Sequence, residues 1–318
     1  MRPIMAAAET YLAQFILWMR GRAFSESSVK TYRNSVQRFF GYLEERGIEN
    51  IRDVTPPIVS QYQVYISTQP GPKKKKLSLS TQHLHITCLK TFFRAVVREG
   101  KLLFDPSSHI EFPRVRRNLP KDIFTFKETD ALLNAPNPER HIELRDKAIL
   151  ELFYSSGLRN SELRNLEIRD VDLQTRFVRI RHAKADKERV VPVGRVAASY
   201  IEEYLREVRP KLLNGEPTEV LFLSIRGRRL DQSLPAYIVQ KYAKRAKITK
   251  RVNAHTMRHT CATHLLRCKA PLRYIQELLG HTSLNTTQIY TQVEPLDLKR
   301  IHAQTHPREK GLPYVEVG

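Results

Sequence analysis

The chain has 318 residues, enough for two domains of ordinary size, which excludes one small module. Its apolar fraction of 41% and charged fraction of 27% exclude a disordered or fibrous chain. Lysine and arginine number 54 against 33 acidic residues, and the formal net charge of +21 favours a polyanionic partner such as nucleic acid. Residues 1–120 hold 19 basic and 9 acidic residues and residues 121–318 hold 35 and 24, so both halves are basic.

The cysteines occur singly, as Cys88, Cys261 and Cys268, with no CxxC pair that would indicate zinc ligands or a disulfide framework. This usage fits a reducing compartment. No run approaches the roughly 20 apolar residues that a helix needs to cross a bilayer. We therefore expect a cytoplasmic protein without a membrane partner.

The first hundred residues have apolar side chains at helical spacing, which predicts a bundle of about four helices. The apolar runs are Tyr11, Phe15 and Trp18; Val29, Tyr32, Val36, Phe39, Phe40 and Leu43; and Ile58, Tyr62, Tyr65 and Ile66. Ser25 and Ser80 precede two helical segments and are candidate N-caps.

A cluster of lysines lies between the third and fourth predicted helices. Its members are Lys73, Lys74, Lys75 and Lys76, directly after Gly71-Pro72. Two interpretations stay open, a solvated charged loop and a loop that contacts the phosphates of nucleic acid.

Prolines and positive charges mark an extended segment between two domains, from Asp105-Pro106 to Leu119-Pro120. We expect a helical N-terminal domain at residues 1–105, a linker at 106–120, a second domain at 121–306 and a tail at 307–318.

The second domain is predicted to be mainly α with a small antiparallel β-sheet. Residues 177–181 and 189–193 are rich in β-branched side chains around a polar turn, which indicates a β-hairpin. Helices are predicted at residues 127–134, 143–155, 197–209, 234–246, 257–267, 272–279 and 285–291. Gly157 is expected just after the second of these helices.

Four separated segments carry groups suited to phosphoryl transfer without a metal: 157–163, 184–189, 255–259, and 279–281 followed by Tyr290. His255 and Arg258 lie three apart at a predicted helix start, so their side chains share one face and could hold one anion near the helix N-terminus. Arg159 follows a glycine at a turn, where its guanidinium could bind two phosphate oxygens. Two such arginines would neutralise charge that develops in the transition state.

In this order the motifs resemble those of the tyrosine recombinase (phage integrase) family, and most closely the two-domain Xer-like recombinases. The resemblance covers nearly the whole chain. The family's catalytic pattern falls on six positions: Arg159, Lys184, His255, Arg258, His281 and Tyr290. Alanines 183 and 185 flank Lys184 where relatives often carry glycine, and Lys187 is the alternative lysine. The resemblance implies a core-binding (SAM-like) N-terminal domain and an α+β catalytic domain.

The resemblance also implies a reaction. Tyr290 attacks a DNA phosphate, expels a 5′-hydroxyl and forms a 3′-phosphotyrosine. A tyrosine hydroxyl, with a pKa of about 10, needs help as a nucleophile, and His255 with the arginines could supply it. Lys184 is the expected general acid. Because the new bond preserves the energy of the phosphodiester, no ATP, metal or other cofactor is required.

The implied partner is double-stranded DNA that carries a recombination site. We expect a homo-oligomer, with a dimer on each site and a tetramer in the synapse, or an assembly with a second recombinase. The segment from Val293 to His306 is the expected docking piece on a neighbouring protomer.

Other polar residues have simpler interpretations. The basic face of Lys241, Lys244 and Arg245 either contacts DNA or lies in solvent. His255 and His259 have the spacing of a zinc pair, but the sequence lacks the glutamate of HExxH, so no metal site is predicted.

Two apparent candidates near these motifs are expected to be structural. Tyr274 lies on an apolar helical face and is predicted to pack in the core. Glu162 is predicted to support the Arg159 segment rather than to react.

Three other classes of protein fit the sequence less well. A type IB topoisomerase uses a similar pocket, but the Xer-like N-terminal domain argues against it. A DNA-binding protein without catalysis has no use for a nucleophile. A metal-dependent nuclease needs a set of acidic residues that is not found near these motifs.

Overall fold

The computed structural model describes residues 3–69, 76–113, 123–181, 188–213, 215, 217–280 and 295–310. Contacts divide the chain into two units, residues 1–118 and 119–318. The described residues of the first unit form helices, and those of the second form helices and a three-stranded sheet. The predicted mainly helical fold with a small antiparallel sheet is confirmed.

The first unit is a bundle whose helices pack through aromatic side chains. Its helices are α1 (Pro3–Arg20), α2 (Glu26–Glu44), α3 (Pro56–Thr68) and α4 (Leu79–Arg98). The ring of Phe39 meets Tyr62 and Phe93 edge-on, with centroid distances of 4.9 and 5.7 Å. Such edge-to-face pairs stabilise a core beyond their burial alone.

One of the two predicted N-caps is correct. The Ser25 hydroxyl accepts a hydrogen bond from the backbone N–H of Ser28 at the start of α2. The prediction for Ser80 is wrong, because Ser78 caps α4 and Ser80 lies in its first turn. The backbone of Ser78 is extended, with a ψ of 152°, and its side chain caps the first turn, so the helix begins directly after it.

The second unit contains ten further helices among its described residues, with the sheet between α7 and α8. The elements are α5 (Phe126–Asn134), α6 (His141–Ser156), α7 (Asn160–Asn165), β1 (Val171–Asp172), β2 (Phe177–Ile180), β3 (Arg189–Pro192), α8 (Arg195–Glu203), α9 (Arg209–Leu212), α10 (Leu234–Arg245), α11 (Ala254–Arg267), α12 (Leu272–Leu279), α13 (Pro295–Thr305) and α14 (Pro307–Lys310). A π-helical turn joins α8 to α9. The helix predicted at 285–291 lies outside the described residues.

The sheet has the order β1-β2-β3, and both pairings are antiparallel. Val178 pairs with Val191 in the predicted hairpin, which is confirmed. Strand β1 was not predicted.

Helix α6 is the central element of the second unit, and every residue from Glu143 to Ser156 is buried. Its charged side chains are therefore paired. The Arg145 guanidinium donates to Asp146 at 2.7 Å, and Lys147 lies 3.3 Å from Glu151. A helix held on all sides fixes the direction in which the chain leaves it at Gly157.

The C-terminal helices α13 and α14 pack against the second unit of their own chain. His302 Nε2 lies 2.9 Å from the carbonyl oxygen of Ser155, and His306 Nε2 lies 3.2 Å from that of Tyr154. The backbone N–H of Arg195 donates to Glu309 at 2.5 Å. The described part of the segment expected to dock on a neighbour thus lies on α6, and α14, which follows it, contacts the start of α8.

Buried histidines should make this unit sensitive to acid. Burial lowers the pKa of His264 to about 4, and burial also lowers the pKa values of His302 and His306. The folded histidines stay neutral while the unfolded chain binds protons, so stability is full above the unfolded pKa and falls as the pH drops below it. From pH 7 to pH 5 we expect His264 alone to cost about 2 kcal/mol of unfolding free energy.

Urea unfolding at the two pH values measures this loss, with His264→Gln expected to reduce the pH dependence. His141→Gln, which replaces an exposed histidine, is the control. An unfolding free energy that is equal at pH 7 and pH 5 contradicts the prediction.

Within the described residues, no helix has both the length and the hydropathy required to cross a bilayer.

Candidate active site

Gly157 ends α6 and brings three helices close together. It has a left-handed φ of 59°, and a Cβ atom there would lie 2.8 Å from Leu279 Cδ2 and 3.4 Å from Cys261 Sγ. Only glycine fits both the backbone conformation and the space. The turn directs the chain from α6 to Arg159 at the start of α7.

Arg159 is held at two points while part of its side chain stays accessible. Its Nη1 donates to Glu162 at 2.7 Å, and its Nη2 donates to the carbonyl oxygen of Gly280 at 3.0 Å. The side chain is 23% exposed. The guanidinium is therefore fixed against the end of α12 and can still reach an anion.

Arg258 approaches the same helix end from α11. Its Nη1 donates to the carbonyl oxygen of Gly157 at 2.7 Å, and its Nη2 donates to that of Leu279. The residue is 5% exposed, and burial, with a smaller contribution from the charge of Arg159, lowers its pKa to about 10. Arg258 remains positive at neutral pH.

The two arginines thus bind consecutive carbonyl oxygens, those of Leu279 and Gly280. His281 is the next residue in the chain. The structure brings together Arg159 and Arg258, which are 99 residues apart in sequence, as the motifs predict.

Glu162 is the buried anion of the site. Both its oxygens accept from Arg189, at 2.9 and 2.8 Å, and the backbone N–H of Arg159 donates to it at 2.8 Å. Burial alone would raise its pKa, but the hydrogen bonds and charge of Arg189, together with those of Arg159, lower it to about 2. Glu162 is therefore ionised at neutral pH and supports Arg159.

Arg189 is the residue of the site that the sequence interpretation missed. It lies at the start of β3, at the end of the basic segment 184–189, for which the sequence predicts a function only at Lys184 or Lys187. Its partner is 27 positions earlier, and no periodic pattern links the two.

His255 lies in the first turn of α11 with its side chain exposed. The side chain of Asn253 caps this helix by accepting from Thr256 N–H at 3.1 Å, so the cap already uses one of the free N–H groups expected there. His259 is also exposed, and partial burial with the nearby charges of His255 and Arg258 lowers its pKa.

Several predicted site residues lie outside the described part of the chain. They are Lys73, Lys74, Lys75, Lys184, Lys187, His281 and Tyr290. Lys76 is described, and its side chain is exposed just before α4.

The basic face of α10 is mostly paired within the chain. Lys241 lies 3.2 Å from Asp146, and Arg245 lies 2.5 Å from Glu143. Lys244 is exposed and forms no ion pair with any described residue. Of the three residues of this face, Lys244 is the one whose charge is not already used in this way.

Two further sequence interpretations concern Tyr274 and a metal. Tyr274 is 1% exposed in the core, as predicted. In the part of the chain that the structure describes, no group of three or more histidine, cysteine or acidic residues could hold a metal ion.

A helical unit is followed by a second unit in which two arginines converge on one helix end, an arrangement suited to binding a phosphate. The phage integrase family matches residues 122–296, and the phage integrase SAM-like domain matches residues 9–112. The chain belongs to the phage integrase family.

Close relatives agree over most of the chain. Tyrosine recombinase XerC 2 of Ralstonia nicotianae is 39% identical over 284 residues, which cover 89% of this chain and 82% of the relative. Tyrosine recombinase XerD of Vibrio vulnificus is 36% identical over 301 residues, which cover 94% and 95%.

Solved structures share the fold. A XerH site-specific recombinase in a post-cleavage complex with its substrate has a TM-score of 0.67 at 22% identity, covering 89% of this chain and 81% of that chain. A lambda integrase dimer bound to a core site has a TM-score of 0.63 at 16% identity, covering 89% and 99%.

The protein is therefore a site-specific tyrosine recombinase, a DNA strand-transferase that cleaves and rejoins DNA strands. The predicted family, fold class and activity are confirmed. The domain bounds and the role of each site residue stay predictions.

Proposed function

We propose that Tyr290 cleaves DNA by attacking a backbone phosphate held between Arg159 and Arg258. The observation that carries this proposal is the binding of both guanidinium groups to consecutive carbonyl oxygens directly before His281. Donors fixed in this way need no reorganisation when charge develops on the phosphoryl oxygens, and each contributes about 10²–10³-fold in rate.

In the proposed step the tyrosine oxygen bonds to phosphorus, and the bond from phosphorus to the 5′ oxygen breaks. Lys184 gives a proton to that leaving oxygen, and His255 assists removal of the phenolic proton. His281 completes the set of groups at the phosphate. The reverse reaction rejoins the strand, so ATP, a metal or another cofactor is not needed.

The exposed ring of His255 supports its role, because it lies one helical turn from Arg258 on the same face. A group that accepts a proton from a nucleophile must reach the substrate. A fully buried histidine such as His264, hydrogen-bonded to Tyr154 and to the carbonyl of Phe124, is not suited to that task.

The proposed partner is a double-stranded DNA site, and the positive charge of both halves supports it. The exposed side chains of Lys76 and Lys244 are proposed phosphate contacts, with Lys73, Lys74 and Lys75 beside the first. The three cysteines are free, which is compatible with a cytoplasmic location.

We propose a dimer on each site and a tetramer in the synapse, formed by this chain alone or with a second recombinase. The solved structure of a lambda integrase tetramer bound to a Holliday junction supports such an assembly for a protein of this fold.

A nicked suicide substrate tests the proposed reaction, because loss of the short cleaved strand traps the covalent product. With EDTA present, we expect an adduct that survives a denaturing gel, and we expect mass spectrometry to find the nucleotide on the peptide that contains Tyr290. Linkage to another residue, or an adduct that forms only after a divalent metal is added, contradicts the proposal. Footprinting first confirms that the protein binds the DNA site, so that a missing adduct reports on the reaction and not on binding.

A further inference from the structure

Arg189 connects three parts of the second unit: β3, α7 and the end of α12. Its Nη1 and Nη2 donate to the two oxygens of Glu162, and its Nε donates to the carbonyl oxygen of Leu278 at 3.3 Å. The side chain is 12% exposed. Its three polar groups are therefore used within the protein.

The guanidinium of Arg189 also lies against the turn that ends α12. Gly280 has a left-handed φ of 62°, and a Cβ atom there would lie 3.1 Å from Cδ, Nε and Cζ of Arg189. The carbonyl oxygen of the same Gly280 accepts from Arg159. Arg189 and Arg159 thus fix one turn from two directions, with Glu162 between them.

The position of Arg189 in the hairpin adds a third connection. It pairs with Ile180 at the last residue of β2 and the first residue of β3. Lys184, the proposed general acid, belongs to the segment that joins these strands. Arg189 thus attaches β3, the strand that follows this segment, to Glu162.

The geometry points to Arg189 as a positioning residue of the recombination reaction: through Glu162 and the α12 turn, it holds Arg159 in the orientation proposed for binding the phosphate. This inference rests on the proposed function of Arg159. Arg189 itself is not proposed to contact DNA.

The charges around Glu162 predict how the pH dependence of activity changes when Arg189 is removed. The charged groups near its carboxylate are Arg159, Arg189 and, more distantly, Arg258, while Asp170 and Arg181 line the small cleft beside it. Without Arg189, the cause that most lowers the pKa of Glu162 is gone, and burial then raises that pKa. Protonated Glu162 no longer holds Arg159 by charge, so activity should fall as the pH drops through the raised pKa.

The test is single-turnover cleavage of the nicked suicide substrate by the full chain, across DNA concentration and pH. For Arg189→Met we expect a maximum rate about 10²-fold lower, because a misplacement of about 1 Å has an effect of that size. The half-saturating DNA concentration should stay within about threefold, because the DNA contacts are elsewhere. Arg189→Met should also lose cleavage rate at acid pH, a loss that the unsubstituted protein lacks. Adding Glu162→Gln to Arg189→Met should remove this pH-dependent loss.

Arg181→Met is the matched control, since this arginine directly follows β2, next to the Ile180 that pairs with Arg189, and is partly buried. Its Nε lies 2.5 Å from Asp170 Oδ1 in an ion pair, although off the line of a hydrogen bond. We expect its cleavage rate and pH profile to match those of the unsubstituted protein.

Arg189→Lys keeps the charge with a different shape, and it carries the test if Arg189→Met fails to fold. We expect its cleavage rate to be about tenfold higher than that of Arg189→Met and about tenfold lower than that of the unsubstituted protein. Its DNA affinity and melting temperature should be unchanged. Two results overturn the inference. One is a cleavage rate in either variant that equals that of the unsubstituted protein. The other is a loss confined to DNA affinity or melting temperature, with a flat pH profile. If the unsubstituted chain forms no adduct on a site that it binds, the proposed function itself fails, and the role of Arg189 fails with it.

Discussion

Tyr290→Phe should remove the covalent protein–DNA adduct, with a loss in cleavage rate of at least about 10⁴-fold. Phenylalanine lacks the oxygen that bonds to phosphorus. DNA affinity should change by less than about twofold, because most contacts of such proteins are to phosphates away from the nucleophile. The measurement is adduct formation on the nicked substrate, with binding followed in parallel by gel shift.

Tyr274→Phe is the matched control for this loss. Tyr274 lies in α12, one helical turn before the end on which the arginines converge. Its side chain is 1% exposed, and burial raises its pKa, so its hydroxyl is neither accessible nor readily ionised. We expect this variant to form the adduct at the unsubstituted rate.

Two results would contradict the assignment of Tyr290. One is a Tyr290→Phe variant that still forms an adduct at more than a trace level. The other is a loss of adduct accompanied by an equal loss of DNA binding, which would indicate a defect in recognition instead of in the chemical step.

Elements with a strong local signal were predictable from the sequence. Helix α12 was predicted at its observed bounds, because its apolar face repeats at helical spacing and Gly280 ends it. The β2–β3 hairpin was predictable from its β-branched residues. Strand β1 has two residues, which is too short for any alternation to be visible.

The site was predictable where the motif residues are themselves the functional groups, as with Arg159 and Arg258. The sequence could not predict which basic residues are already paired within the chain. Lys241 and Asp146 are 95 residues apart, and Arg189 and Glu162 are 27 apart, so only the folded chain brings these charges together. A basic face in a sequence therefore overestimates the charge left for DNA.

The buried charges of α6 lead to the largest expected effect on stability. Asp146 accepts from Arg145 through one oxygen, and from Lys241 at 3.2 Å and the Tyr242 hydroxyl at 2.9 Å through the other. Asp146 and Arg145 are 1% and 3% exposed. Asp146→Ala removes the anion but leaves the arginine charge inside, with the carbonyl of Leu223 as its remaining partner.

Removing one partner of a buried ion pair costs about 3–5 kcal/mol, because the other charge stays desolvated. We therefore expect Asp146→Ala to lower the unfolding free energy of the second unit by that amount. Trp18, the one tryptophan of the chain, belongs to the first unit, so its fluorescence does not report this loss directly. Hydrogen exchange of peptides from residues 141–156 across a urea series measures it instead.

The control is Glu207→Ala, which breaks the ion pair with Arg206 on the surface, where both side chains are about half exposed or more. Exposed pairs contribute at most about 1 kcal/mol. A double variant, Arg145→Met with Asp146→Leu, removes both charges and should recover much of the loss, because no unpaired charge then remains inside. If Asp146→Ala and Glu207→Ala have equal effects, water reaches Arg145 in the folded protein, and α6 is not the dry central helix that positions Gly157 and Arg159.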